Sequence, residues 1–343
     1  MKIGNPNPTV RYFVVLIALL VLVAVGVVVS VNSGTIDITP IDVFRILFLH
    51  AGEGTMDANV IWKIRLPRLL TAAILGGALS VSGFLLQTFF RNPIAGPFVL
   101  GISSGAKMCV AFVMIFVVGA YGRIPSWGMV AAAAAGSMLI TGFVLLFSRR
   151  AKNMSMLLVI GIMIGYICSA ITDFSIAFAK DHDIANLTTW SMGSFSGSGW
   201  DNLGIISVVV GVSLCCAMLI SKPMDAYQLG EGYAKSMGIN IPLFRLELIV
   251  LSSVLSACVT AFAGPISFVG IAVPQIAKFL MKTSKPVVII PTSFLCGSVF
   301  CIFCDLIARQ AFAPTELAIG TVTSFFGAPI VISLLIKRSK RGG

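Results

Sequence analysis

RLPRLLTAAILGGALSVSGFLLQTFFRNPIAGPFVLGISSGA, residues 65–106, sets two arginines, a glutamine and an Asn-Pro turn inside sequence otherwise suited to a lipid bilayer. A hydrocarbon core of roughly 30 Å takes about 20 apolar residues of helix, which the run after Arg68 supplies. Asn92 before Pro93 is biased away from helix, so the chain turns there before the next apolar run. The stretch therefore predicts a membrane helix, a turn and a second membrane helix, with polar residues that each need a reason.

The rest of the chain agrees. Of 343 residues, 57% are hydrophobic and 11% charged, against roughly 25% charged in an average soluble domain, and the mean hydropathy is +1.01. Candidate spans fall at 12–31, 69–90, 97–118, 124–147, 154–179, 203–220, 241–262, 266–280, 286–307 and 319–336, an all-α polytopic membrane protein of about ten helices, the 266–280 span being the weakest. These blocks are apolar on every face, unlike the alternating strands of a membrane β-barrel. The polar intervals 32–64, 180–202 and 221–240 are too short for a domain of their own, so residues 1–343 read as one transmembrane domain.

Lys2, Arg11, Arg91, Arg149, Arg150, Lys152, Lys222, Lys235, Arg245, Lys278, Lys282, Lys285 and the terminal Lys337–Arg341 cluster fall on one side of the ten spans. Fewer cations, among them Arg45, Lys63, Arg65, Arg68, Arg123, Lys180 and Arg309, fall on the other. The positive-inside rule then puts both termini in the cytoplasm. The net charge of +11 is thereby largely topological and gives no support to nucleic-acid binding. The first apolar run exceeds a secretory h-region and lacks a cleavage site before Gly34, so it reads as a span. The eight cysteines lie within apolar spans and read as packing residues, Cys301 and Cys304 included. No phosphate-binding GxxxxGK[ST], zinc-ligand set or GxSxG elbow occurs, and nothing calls for a cofactor, a metal or catalysis by the chain itself.

Four blocks carry a resemblance. Arg65-Leu66-Pro67-Arg68 with Gly83, Gln87, Asn92-Pro93, Ala95, Pro97, Gly101 and Gly105-Ala106 forms the first. Gly230, Ala234 and Gly238 in the 224–240 interval form the second, and Gly264-Pro265-Ile266-Ser267-Phe268-Val269-Gly270 with Pro274 the third. Asp305 to Arg309, Pro314-Thr315-Glu316-Leu317 and Gly327-Ala328-Pro329 form the fourth. In this order and spacing they resemble the permease subunits of bacterial ABC importers for iron-siderophores, haem and cobalamin, over nearly the whole chain. Three departures occur: Met237 for the usual Leu, Gln275 for the usual His, which removes a titrating imidazole, and Ala318 for a Pro, which predicts a looser turn.

The resemblance implies a type II ABC importer permease fold in the bacterial inner membrane. It implies a second permease subunit, either a copy or a paralogue, two cytoplasmic ATPase subunits and an extracytoplasmic substrate-binding protein, all working at a lipid bilayer. By the same resemblance Arg65, Arg68 and Arg309 receive acidic residues of the binding protein. Gly230, Glu231, Ala234, Lys235, Met237 and Gly238 belong to the loop, about 224–240, that docks on the ATPase. A ferric siderophore is the expected cargo, with haem or cobalamin as alternatives.

The residues have readings of their own. Guanidinium binds carboxylate through two bonds and stays charged, so a docking role suits the three arginines. Single-residue snorkelling does not account for two of them within four positions. Gln87, Asn92 and Pro93 read as architecture of the inner turn, with Asn92 able to cap the next helix. Gly270 and Pro274 interrupt a short span, a pattern tolerated where backbone is buried in protein or lines a cavity. Asp173, read as mid-span, and Lys107 are ionisable groups in apolar sequence and candidates to line a wet pathway or to pair. An ion-driven secondary transporter is the rival, but it would want more intramembrane carboxylates; a thiol oxidoreductase using Cys301 and Cys304 is a weaker one.

Overall fold

The computed structural model describes residues 8–34, 38–49, 54–118, 126–148 and 154–339, and all their regular elements are helical. The first half comprises α1 (Pro8–Asn32), α2 (Pro40–Leu49), α3 (Met56–Phe90), α4 (Ile102–Phe112), α5 (Ser126–Ser148), α6 (Met154–Ile176) and α7 (Asp181–Met192). The second comprises α8 (Trp200–Leu219), α9 (Ser221–Leu229), α10 (Glu231–Ser236), α11 (Ile241–Ala263), α12 (Val269–Met281), α13 (Pro286–Gln310) and α14 (Ile319–Ser339). Seven of these are long and apolar enough to cross a bilayer. Three shorter apolar helices, at Ile102–Val117, Val269–Met281 and Ile319–Ser333, complete the ten expected spans. The expected cationic loops at Arg123 and 149–152, with Lys2, Lys340 and Arg341, lie outside the described residues.

Several boundaries differ from those predicted. The second span begins at Met56 rather than 69, because the helix runs on through Arg65 and Arg68. Pro67 has no N–H to offer the carbonyl of Lys63, and the chain widens into a π-helical turn over Ile61–Arg65, where the Leu66 N–H bonds to Ile61 instead. The third span starts at Ile102, not 97. The polar intervals 32–64 and 180–202 contain α2 and α7, which hydropathy alone does not reveal.

α3 is the central column. In its most apolar window 83% is buried, against 22% for α1 and α6, whose outward sides show large apolar residues such as Phe13, Ile17, Met163 and Phe174. α13, α11, α12 and α8 pack around α3, while α4 packs against α5 and α6. Lipid is as apolar as leucine, so close backbone packing must hold such helices together. A Cβ built on Gly76 would lie 2.5 Å from the Gly297 carbonyl, and one on Gly83 would lie 1.7 Å from that of Gly270. Only glycine permits these two crossings.

Candidate functional site

The three arginines predicted as a set do converge, at the end of α3 that follows the π turn. Arg65 Nη1 donates to the carbonyls of Val31 and Asn32, and Arg309 donates to the Ser33 carbonyl and to Ser30 Oγ. Two cations thus sit at the carboxyl end of α1, where unpaired carbonyls carry partial negative charge. Arg68 is 8% exposed and is gripped on two sides. Its Nη2 lies 2.9 Å from Asp305 Oδ1, and its Nη1 lies 3.0 and 3.1 Å from the two oxygens of Glu316. Arg309 Nε stands 3.1 Å from Asp305 Oδ2. Asp305 is fully enclosed on α13, whereas the Glu316 side chain, on the segment between α13 and α14, is 47% exposed. The Leu317 N–H bonds to the Ala308 carbonyl at 2.8 Å and holds that segment against α13. A cavity of about 430 Å³ opens here, lined by Gly34, Arg65, Arg68, Arg309, Pro314 and Glu316.

At the other end of α3, Gln87 answers a proline. Pro274 cannot bond to the carbonyl of Gly270 four residues before it, and Gln87 Nε2 donates to that carbonyl at 3.3 Å and to Ile271 at 3.1 Å. Gln275 Nε2 in turn donates to Gln87 Oε1 at 2.6 Å, and Lys278 Nζ to the same oxygen at 3.3 Å. Gln275, noted in the sequence only as a lost imidazole, is therefore part of the tie between α3 and α12. Asn92 does not cap the next helix. Its Oδ1 accepts from the Ile94 N–H two residues on, and Gly101 occupies the N-cap of α4. The short side chain is consumed by its own turn, which Pro93 extends.

The 224–240 interval folds against this same end as α9 and α10, broken at Gly230 with φ +138° and ended by Gly238 with φ +81°. Tyr227 is fully buried under the end of α3. Its hydroxyl donates to Glu231 Oε1 at 3.0 Å and approaches the Phe89 carbonyl at 3.4 Å. The Arg91 guanidinium lies 4.8 Å above its ring and donates to its carbonyl. Arg245, on α11, pairs with Glu231. Burial pushes the Tyr227 phenol up. For Glu231, partial burial alone would raise the carboxyl, but hydrogen bonds from Arg245 and Tyr227 outweigh it and hold it below the usual carboxylate range. Ala234 is buried, while Leu229, Tyr233 and Met237, four residues apart, are exposed together with Lys235.

Asp173 lies in the last turn of α6, exposed, rather than mid-span as expected, because the helix ends at Ile176. Lys107 is half-buried on α4, and no described ion pair joins it to Asp173. Gly270 and Pro274 are both buried against α3. All eight cysteines are free thiols. The sequence reading missed Asp305, Glu316, Tyr227 and Arg91 as functional residues. An acidic residue four positions before Arg309 in an apolar span was the signal available for Asp305.

The FecCD transport family model matches residues 19–337. The chain is 36% identical over 323 residues to the vitamin B12 import system permease protein BtuC of Citrobacter koseri, covering 93% of each. It is 36% identical over 283 residues to BtuC of Salmonella typhimurium, covering 82% of this chain and 84% of that protein. A solved inward-facing transporter described as of metal-chelate type superposes with a TM-score of 0.81 at 26% identity, over 94% of this chain and 98% of its own. The fold is also similar to that of a chain in a Streptococcus pneumoniae PsaBC structure, with a TM-score of 0.51 at 15% identity over 78% and 90% of the two chains.

Proposed function

The chain belongs to the FecCD transport family and is a multi-pass ABC importer permease, and from that premise we propose that it carries a large metal chelate across the bacterial inner membrane. It pairs with a second permease, a copy or a paralogue, and works with two cytoplasmic ATPase subunits and an extracytoplasmic binding protein. Both termini lie in the cytoplasm. The cargo we propose is cobalamin, in place of the ferric siderophore expected from sequence, and the observation that carries this is the B12 permease name of relatives that match over 82% or more of both chains. Uptake of labelled cyanocobalamin into proteoliposomes holding the assembled transporter should require both ATP and the binding protein. Uptake of ferric siderophores in its place would overturn the cargo, and uptake driven by a proton gradient alone would overturn the importer.

Arg65, Arg68 and Arg309 receive carboxylates of the binding protein, a role supported by their convergence on one cavity. Arg68→Glu should slow association with that protein and flatten its salt dependence; unchanged kinetics would count against docking. Gly230, Glu231, Ala234, Lys235, Met237 and Gly238 belong to the element that engages the ATPase. The exposed row of Leu229, Tyr233 and Met237 supports this reading, since it suits a groove on a folded partner. Motion of the ATPase passes to the bundle as a rigid-body shift through the seat of Tyr227 beneath α3. Gln87, Asn92, Pro93, Gly270 and Pro274 act as architecture. Asp173, exposed at the rim of α6, is a candidate for the pathway mouth.

A further inference from the structure

Arg68 has two carboxylate partners of very different standing. Asp305 sits on α13, enclosed, and serves Arg309 as well as Arg68. Such an ion, fully paired and out of water, cannot leave without stranding two guanidiniums. Glu316 sits on an irregular segment with its side chain 47% exposed, and among the described residues its hydrogen bonds run to Arg68. A half-exposed pair of this kind is weakly held, because water competes for both ions. Glu316 covers Arg68 Nη1 and lines the 430 Å³ cavity together with Arg68.

We infer that Glu316 is an internal stand-in for the partner's carboxylate: it occupies Arg68 in the undocked permease and yields that place when the binding protein docks. The inference rests on the docking reading above. The exchange is balanced, since one carboxylate replaces another on the same guanidinium while Glu316 moves into water. Arg65 and Arg309 line the same cavity wall and meet the incoming group as well. Return of Glu316 to Arg68 then assists release, which an importer that cycles its binding protein needs.

The test uses the whole transporter in lipid nanodiscs, with its substrate-binding protein as the probe, and reads association, dissociation and salt dependence. Glu316→Gln keeps the shape and removes the competing charge. Affinity should rise about tenfold with a steeper salt dependence, a typical size for a close charge pair. Glu316→Asp, which keeps the charge but shortens the reach to Arg68, should bind with an affinity between those of wild type and Glu316→Gln, and it decides the matter should the glutamine variant fail to fold. Equal or weaker binding by these variants, with Arg68→Glu still impaired, would overturn the inference and leave docking standing, because Glu316 would then be orienting Arg68. Unimpaired Arg68→Glu would overturn the docking reading, and the inference with it.

Discussion

At its Arg68 end α3 is held by charge, two guanidiniums around two carboxylates, while at its Phe90 end it is held mainly by an aromatic ring under a single cation. The 25 residues between, Leu66 to Phe90, span about 37 Å at 1.5 Å per residue. The charged end joins elements from four separate parts of the chain, and each bond there depends on the others being made. The aromatic end depends on shape, with Tyr227 packed beside Phe244 at a ring distance of 5.3 Å and its hydroxyl adding a smaller contribution. A guanidinium held by two carboxylates can exchange one of them without being left uncompensated. A packed ring cannot be exchanged, but it transmits displacement because nothing around it has room to yield.

The contrast breaks most readily at Asp305. Asp305→Ala leaves Arg68 and Arg309 buried without their shared counter-ion and should cost about 3–5 kcal/mol, read as a lower unfolding midpoint in detergent. A loss under about 1 kcal/mol would mean that charge does not hold this end. At the opposite end Gln87→Leu removes the donor to the Gly270 carbonyl freed by Pro274 and to that of Ile271, and should cost about 1–3 kcal/mol by the same measurement. Tyr227→Phe removes only a hydroxyl and should cost about 1 kcal/mol; a loss equal to that of Asp305→Ala would erase the distinction between the ends.

The smallest effect is a pH dependence. Glu231 has a folded-state pKa below its unfolded one, so its stabilisation is present above the ordinary carboxylate range and fades as pH falls through the depressed value. The difference in unfolding midpoint between wild type and Glu231→Gln should therefore be visible at neutral pH and vanish in acid. A difference that persists unchanged in acid would show that the ion pair with Arg245 contributes nothing.

Much of this was legible from residue order. Hydropathy found the long apolar helices because a bilayer demands them, and it set the polar 221–240 interval apart from them. The arginines announced themselves by lying in apolar sequence. What they bond to could not be read, since Asp305 and Glu316 stand 237 and 248 positions away from Arg68. Asn92 carried a true helix-capping signal that its own Asx turn pre-empted. Asp173 looked intramembrane because the apolar sequence continues to Ala179, beyond the helix end. α2 and α7 escaped notice because α2, though apolar, is only 10 residues long and α7 is mostly polar, so neither reads as a span.

The π turn at Ile61–Arg65 holds one residue more than an α-helical turn of the same span. It works as a phase shifter. Each residue of an α-helix advances the azimuth by about 100°, so winding the same residues as a regular α-helix would swing everything before the turn by that angle. Ala58 and Ile61, now buried beside Val31, Ile38 and Val43, would face elsewhere, and the Trp62 carbonyl would leave the indole N–H of Trp200. Arg68 and the column below it would keep their heading. A single inserted residue thus lets the rim of the protein be aimed independently of its shaft.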